Sequence, residues 1–97
     1  MRGGKLIIGG LLAALPAAAL ADVTIGVLAP LTGRIATYGA QFAGAVKMYD
    51  EEHGKLDANN RLKFVVYDTR GDATETISLT RKLVSGDDAV VIVGPLL

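Results

Sequence analysis

The sequence predicts an α/β fold, a parallel sheet built in the order β-α-β-α-β behind an N-terminal export signal. Three observations predict it. Three short apolar runs, Val23–Ala29, Leu62–Asp68 and Ala89–Val93, have the length and content of strands. Two segments of helical periodicity, about Tyr38–Glu52 and Ala73–Val84, separate them. Turn-forming residues punctuate the junctions. Strands alternating with helices of this length build parallel sheets with right-handed crossovers.

The first 21 residues stand apart from this pattern. Arg2 and Lys5 form a short positive region, Leu6–Leu20 is apolar apart from Gly and Pro16, and Ala19-Leu20-Ala21 is a small-x-small cleavage site. That order is a secretory signal peptide cleaved after Ala21. The apolar run is about 15 residues, against the ~20 that a membrane-spanning helix needs. Loss of Arg2 and Lys5 leaves 8 basic and 10 acidic side chains, a net charge of −2. With no second long apolar run, the mature chain is expected to be soluble outside the cytoplasm.

Each element of the mature chain has its own reason. Val23–Ala29 is continuously apolar, as suits a strand buried on both faces, and Pro30 ends it because proline has no N–H for a ladder. Leu31–Thr37 is a loop. In the first helix Phe42, Ala45, Val46 and Tyr49 share one face, while Ala40, Ala43 and Gly44 are small enough for close packing. Asp50, Glu51 and Glu52 are expected to face water, and Gly54 suits a left-handed helix stop. Lys55–Arg61 is polar and turn-forming, and Leu62–Asp68 is the second strand. Asp72 with Glu75 makes an acidic start to the second helix. Ala73, Thr76, Ile77, Thr80 and Val84 are expected on one face, with Leu79 and Leu83 beside it. Ser85-Gly86 ends that helix. Ala89–Val93 is the third strand, wholly apolar, which suits the middle of a larger sheet.

The totals exclude several function classes. The full chain of 97 residues permits at most one domain, and its 10 basic and 10 acidic groups show no excess that would draw nucleic acid. The absence of Cys removes disulfides and thiolate metal sites, and a single His, His53, argues against a His-based metal site or a catalytic triad. Neither Gly33 nor Gly39 is followed by Lys-Ser/Thr, and no G-x-G-x-x-G follows Gly26, so the known phosphate-loop patterns are absent. No nucleophile–base–acid set emerges, so no enzyme activity, cofactor or metal is expected.

Parallel topology picks the functional edge. Ligands of open α/β sheets bind beyond the carboxyl ends of the strands, and three segments leave those ends: Pro30–Thr37, Thr69–Asp72 and Gly94–Leu97. On residue pattern alone Tyr38 is either a pocket wall or a helix-entry packing residue, with packing favoured. Gly33 is either a turn glycine or, with Gly39, part of an anion-holding helix start. Asp68 ends a strand at this edge, where a capping or turn role is expected over a ligand role. A mature chain of 76 residues, 97 less the 21 of the signal, buries only ~60% of its unfolded surface, so the domain is expected to be incomplete.

Four motifs in order carry a resemblance: IGVLAPLTG at Ile25–Gly33, TYG at Thr37–Gly39, VVYDTRGD at Val65–Asp72 and VVIVGPL at Val90–Leu96. Together with the helix at Gln41–Gly54, they make the chain similar to the N-terminal lobe of the leucine/isoleucine/valine-binding family. These are periplasmic solute-binding proteins of branched-chain amino-acid-type ABC transporters. The resemblance implies a type I periplasmic binding protein (Venus-flytrap) fold, with residues 1–21 as signal and 22–97 as the N-terminal, incomplete part of the solute-binding lobe. It implies a periplasmic protein that captures an amino acid, amide or aromatic or aliphatic carboxylate between two lobes and hands it to a membrane permease. It implies no catalysis. It moves Tyr38 to the cleft wall, and it carries Leu96 and Leu97 there as the residues after the third strand. The family often has Asn-x-x-Gly-Gly after the first helix, where this chain has His53–Asn60, so the solute stays open. A fragment of an exported α/β enzyme, or of a ligand sensor built on the same lobe, is the alternative.

Overall fold

A computed structural model describes residues 21–96. The expected signal peptide, apart from Ala21, and the candidate ligand residue Leu97 lie outside the described residues. The elements are β1 (Ala21–Ala29), α1 (Ala36–His53), β2 (Asn60–Asp68), α2 (Ala73–Arg81), a π-helical turn (Lys82–Gly86) and β3 (Val91–Val93). The strands form one parallel sheet in the order β2-β1-β3. None of the described helices is long and apolar enough to cross a membrane.

The expected α/β alternation is present, and β1 sits at its centre. Val27, Leu28 and Ala29 are completely buried, as a strand flanked by partners and covered on both faces must be. Ile25 pairs with Phe64 of β2 on one side and with Val91 of β3 on the other. Phe64 meets Tyr49 of α1 edge-on, with ring centroids 6.4 Å apart, which sets α1 on that face. Gly26, one residue on, points the other way. A Cβ there would lie 2.6 Å from a Leu83 methyl, so the α2 side covers the opposite face. Two crossovers of one hand that run in opposite directions from the sheet produce this arrangement.

Several boundaries shift for local reasons. β2 starts at Asn60 because the Ala21 N–H donates to the Asn59 carbonyl and extends the ladder. Asp57 shapes the turn before it, accepting from the Asn59 and Asn60 N–H groups at 2.7 and 2.8 Å. α1 begins at Ala36, two residues ahead of Tyr38. β3 is shorter than expected: the Ala89 N–H turns back to the Leu83 carbonyl, the Val90 N–H makes the first bond to β1 at Thr24, and the strand runs over Val91–Val93.

Three packing expectations are corrected. Gly54 is right-handed, with φ −63°, so it is no left-handed stop; a side chain there would collide with Asp50. Gly44 has open space around it, and the close approach of α1 falls on buried Gly39, where a Cβ would strike the Pro30 carbonyl oxygen. The inward face of the second helix is Thr76, Leu79, Thr80 and Leu83, while Ile77 and Val84 are each 54% exposed. The π turn, closed by Asp87 N–H to Lys82 O at 3.0 Å, carries the wholly buried Leu83 against Gly26. Asp50 is also less exposed than its neighbours Glu51 and Glu52, and it lies 3.8 Å from Arg61.

Candidate functional site at the C-terminal edge of the sheet

Pro30 closes β1 and is fully buried, so the chain leaves the sheet at a fixed point. The following loop is held from the next strand. One Asp68 carboxylate oxygen accepts the Leu31 N–H at 2.8 Å and the Thr32 N–H at 3.3 Å, and the other accepts the Thr32 hydroxyl at 2.7 Å. The same carboxylate accepts the Arg70 N–H at 2.8 Å. Asp68 therefore clamps the loops after β1 and β2 together. The Thr32 hydroxyl is the main reason its carboxyl lies below the ordinary range, with the Arg70, Leu31 and Thr32 amides adding to the effect and desolvation opposing it.

Buried Thr69 makes the second tie. Its N–H donates to the Ala29 carbonyl at 3.0 Å, and its hydroxyl accepts the Gly71 N–H at 3.2 Å. The loop then turns through two left-handed residues, Arg70 at φ 55° and Gly71 at φ 71°. Asp72 caps α2 by accepting the Glu75 N–H at 2.8 Å, the helix start expected from the Asp72/Glu75 pair. Glu75 itself reaches out to Arg70, 3.6 Å away.

Gly33 has φ 97°, and its carbonyl accepts the Ala36 N–H, so it is a turn glycine. Gly39 serves helix approach, as described above. No side chain caps the start of α1; the Tyr38 and Gly39 amides donate to the Ile35 carbonyl. Tyr38 is 59% exposed at this start, so among the described residues nothing packs over it fully. Leu96, half-buried, follows β3 and donates its N–H to the Leu28 carbonyl at 3.3 Å. The two candidate residues thus share one sheet edge, and no hydrogen bond between them is present.

Two cavities open on this edge. One of about 340 Å³ is lined by Arg34, Ile35, Arg70 and Gly71. Another of about 380 Å³ lies between the start of α2 and Pro95. Tyr38 and Leu96 line neither. A larger cavity, about 420 Å³, lies elsewhere, between α1 and the sheet, among Ile25, Tyr49, Phe64, Val91 and Val93. It is an apolar seam that crosses the sheet face beneath α1 from β2 to β3, without the convergent polar groups that orient a ligand. Glu52, His53 and Asp50 gather at the opposite edge, where His53 ends α1 and packs on Tyr49 at 4.9 Å.

Sequence reading overlooked Arg34 and Arg70. Parallel topology was the available signal, because it brings the loops after β1 and β2 to one edge, but no spacing in the chain marks the pair.

A family model described as periplasmic binding protein matches residues 22–96. The chain is 33% identical over 96 residues to a Leu/Ile/Val-binding protein of Rhizobium johnstonii, an overlap of 95% of this chain and 26% of that one. Its fold is similar to an ABC-transporter solute-binding protein of Rhodopseudomonas palustris solved with 3,4-dihydroxybenzoic acid, with TM-score 0.68 and 28% identity over 73% of this chain and 20% of that one. It is similar also to a leucine-binding protein of Thermotoga maritima, with TM-score 0.69 and 25% identity over 75% of this chain and 21% of that one. The chain therefore spans about a quarter of the Rhizobium relative's length.

Proposed function

The chain belongs to the periplasmic binding protein family, and from that premise we propose that it forms one wall of a solute-capturing cleft. The order β2-β1-β3 carries this reading. In such a sheet the crevice for a ligand opens beyond the carboxyl ends of β1 and β3, where neighbouring connections leave toward opposite faces. The loop after β1, exposed Tyr38 at the head of α1 and Leu96 after β3 border that crevice, and the family resemblance carries the next residue, Leu97, to the same role. Residues 1–21 serve as the export signal and 22–97 as the N-terminal part of the lobe.

A second lobe closes over the solute by hinge motion, and the closed form engages the permease of an ABC uptake transporter in the periplasm. The solute is an amino acid, an amide or a small carboxylate. The Rhizobium relative is named for Leu, Ile and Val, and the Rhodopseudomonas protein was solved with an aromatic acid. The work asked of this edge is binding, without turnover.

Calorimetry of the full-length mature protein tests the proposal. The panel is leucine, isoleucine, valine, leucinamide, urea, benzoate and 3,4-dihydroxybenzoate. Saturable 1:1 binding of one class, with the solute recovered unchanged, is the expected result. Binding of no panel member, or chemical conversion of a bound one, counts against it.

A further inference from the structure

We propose that Arg34 and Arg70 form a two-pronged subsite for the carboxylate of an anionic solute, a refinement that rests on the solute-binding reading above. The two side chains come from different loops, yet both line the cavity of about 340 Å³ at the ligand-bearing edge. That volume lies within the range of small-molecule sites. The loops are fixed relative to each other. Asp68 holds the amides of Leu31, Thr32 and Arg70 on one carboxylate, and the Cβ position of Gly33 lies 3.5 Å from the Arg70 carbonyl oxygen.

Charge at this edge is poorly compensated. Arg34 makes no ion pair among the described residues. Arg70 has only Glu75, at 3.6 Å, with its own side chain 66% exposed. The remaining carboxylates are engaged: Asp68 by the clamp and Asp72 by its helix cap. Two arginines that line one cavity repel each other through their like charge, and an anion between them relieves that repulsion. A planar carboxylate matches the guanidinium fork in bidentate fashion, which a neutral or cationic group cannot do. The left-handed backbone at Arg70, φ 55°, is a conformation that a glycine would adopt without strain. A long cation at such a turn is the kind of local outlier that accompanies ligand contact.

The test compares wild type, Arg34→Gln, Arg70→Gln and Arg70→Lys in the full-length mature protein. Calorimetry is run with 3,4-dihydroxybenzoate and its methyl ester, and with leucine and leucinamide. Wild type is expected to bind a carboxylate at least ~10-fold more tightly than its uncharged-terminus partner, an effect that rising NaCl reduces. Each Gln substitution is expected to weaken carboxylate binding by ~10-fold and to leave the ester or amide within about twofold. Arg70→Lys, which keeps charge but loses the fork, should fall between. Unchanged melting temperatures would show that the variants fold. Carboxylate affinities that the Gln variants leave unchanged overturn the proposal. They overturn it equally where small-angle scattering shows altered closure alone, which would make the arginines a latch to the second lobe. Such a result leaves the solute-binding reading intact, whereas a wild type that binds no probe overturns both.

Discussion

Asp68 shows how one side chain can organise an edge. It is half-buried, and its hydrogen-bond donors all come from the two loops it joins. Because its folded-state pKa lies below the unfolded value, the clamp contributes stability above the ordinary carboxylate range, ~3.9. That contribution is lost as pH falls through the folded value. Asp57 acts in the same direction, held down first by the Asn60 side chain. Asp68→Asn is therefore expected to flatten the loss of stability between about pH 5 and pH 3, read from urea midpoints. Thr32→Val should raise the Asp68 pKa toward the ordinary value in an NMR titration of the carboxyl carbon; an unmoved titration would show that the backbone amides suffice. Tyr38, 59% exposed, belongs to the same scale. Tyr38→Ala in the full-length protein should weaken solute binding while the melting temperature stays almost unchanged.

Among elements, two glycines of α1 make opposite predictions. A Cβ added at Gly39 would strike the Pro30 carbonyl, and one added at Gly44 would meet nothing within 4 Å. Gly39→Ala is expected to cost about 1–3 kcal/mol through overpacking, more than the helix propensity it gains. Gly44→Ala should stabilise by roughly 0.5–1 kcal/mol, because it removes backbone freedom without a clash. Chemical denaturation reads both. On the other face, Leu83 sits over Gly26 at the centre of the sheet. Leu83→Ala should destabilise by ~2–5 kcal/mol, the range for a buried leucine. Gly26→Ala should be costly alone and cheaper in the Leu83→Ala background, since the cavity admits the new methyl. Additive losses in that cycle would show that the two do not share space.

At the scale of the molecule, β3 decides behaviour. Among the described residues it pairs with β1 on one side only, and Val91 and Val93 are 50% and 38% exposed beside the apolar seam under α1. A free, apolar edge strand invites pairing with another chain. The isolated segment 22–97 is expected to self-associate in sedimentation, and Val93→Lys should shift it toward monomer. An unchanged distribution would place the association elsewhere. The same isolated segment should bind solute weakly or not at all by calorimetry, since it supplies one wall of the proposed cleft; micromolar affinity would overturn the need for a second lobe.

What the sequence determined by itself was local or repeated along the chain. Strand and helix types followed from runs such as Val23–Ala29 and from the Phe42–Tyr49 periodicity, and the Asp72 cap from its own neighbours. Parallel alternation placed the loops on one edge, and four ordered motifs pointed to the family. Tertiary structure decided what depends on approach between distant segments. It chose Leu83 over Val84 for the core, because a π turn rotates the end of α2. It gave Gly39, and not Gly44, the close contact, because only there does α1 meet the end of β1. It set β1 at the centre of the sheet, and it brought Arg34 beside Arg70 through the Asp68 clamp. Periodicity reports which way a residue faces within its own element, while juxtaposition across elements is set by register, twist and long-range hydrogen bonds, which leave no spacing in the chain to read.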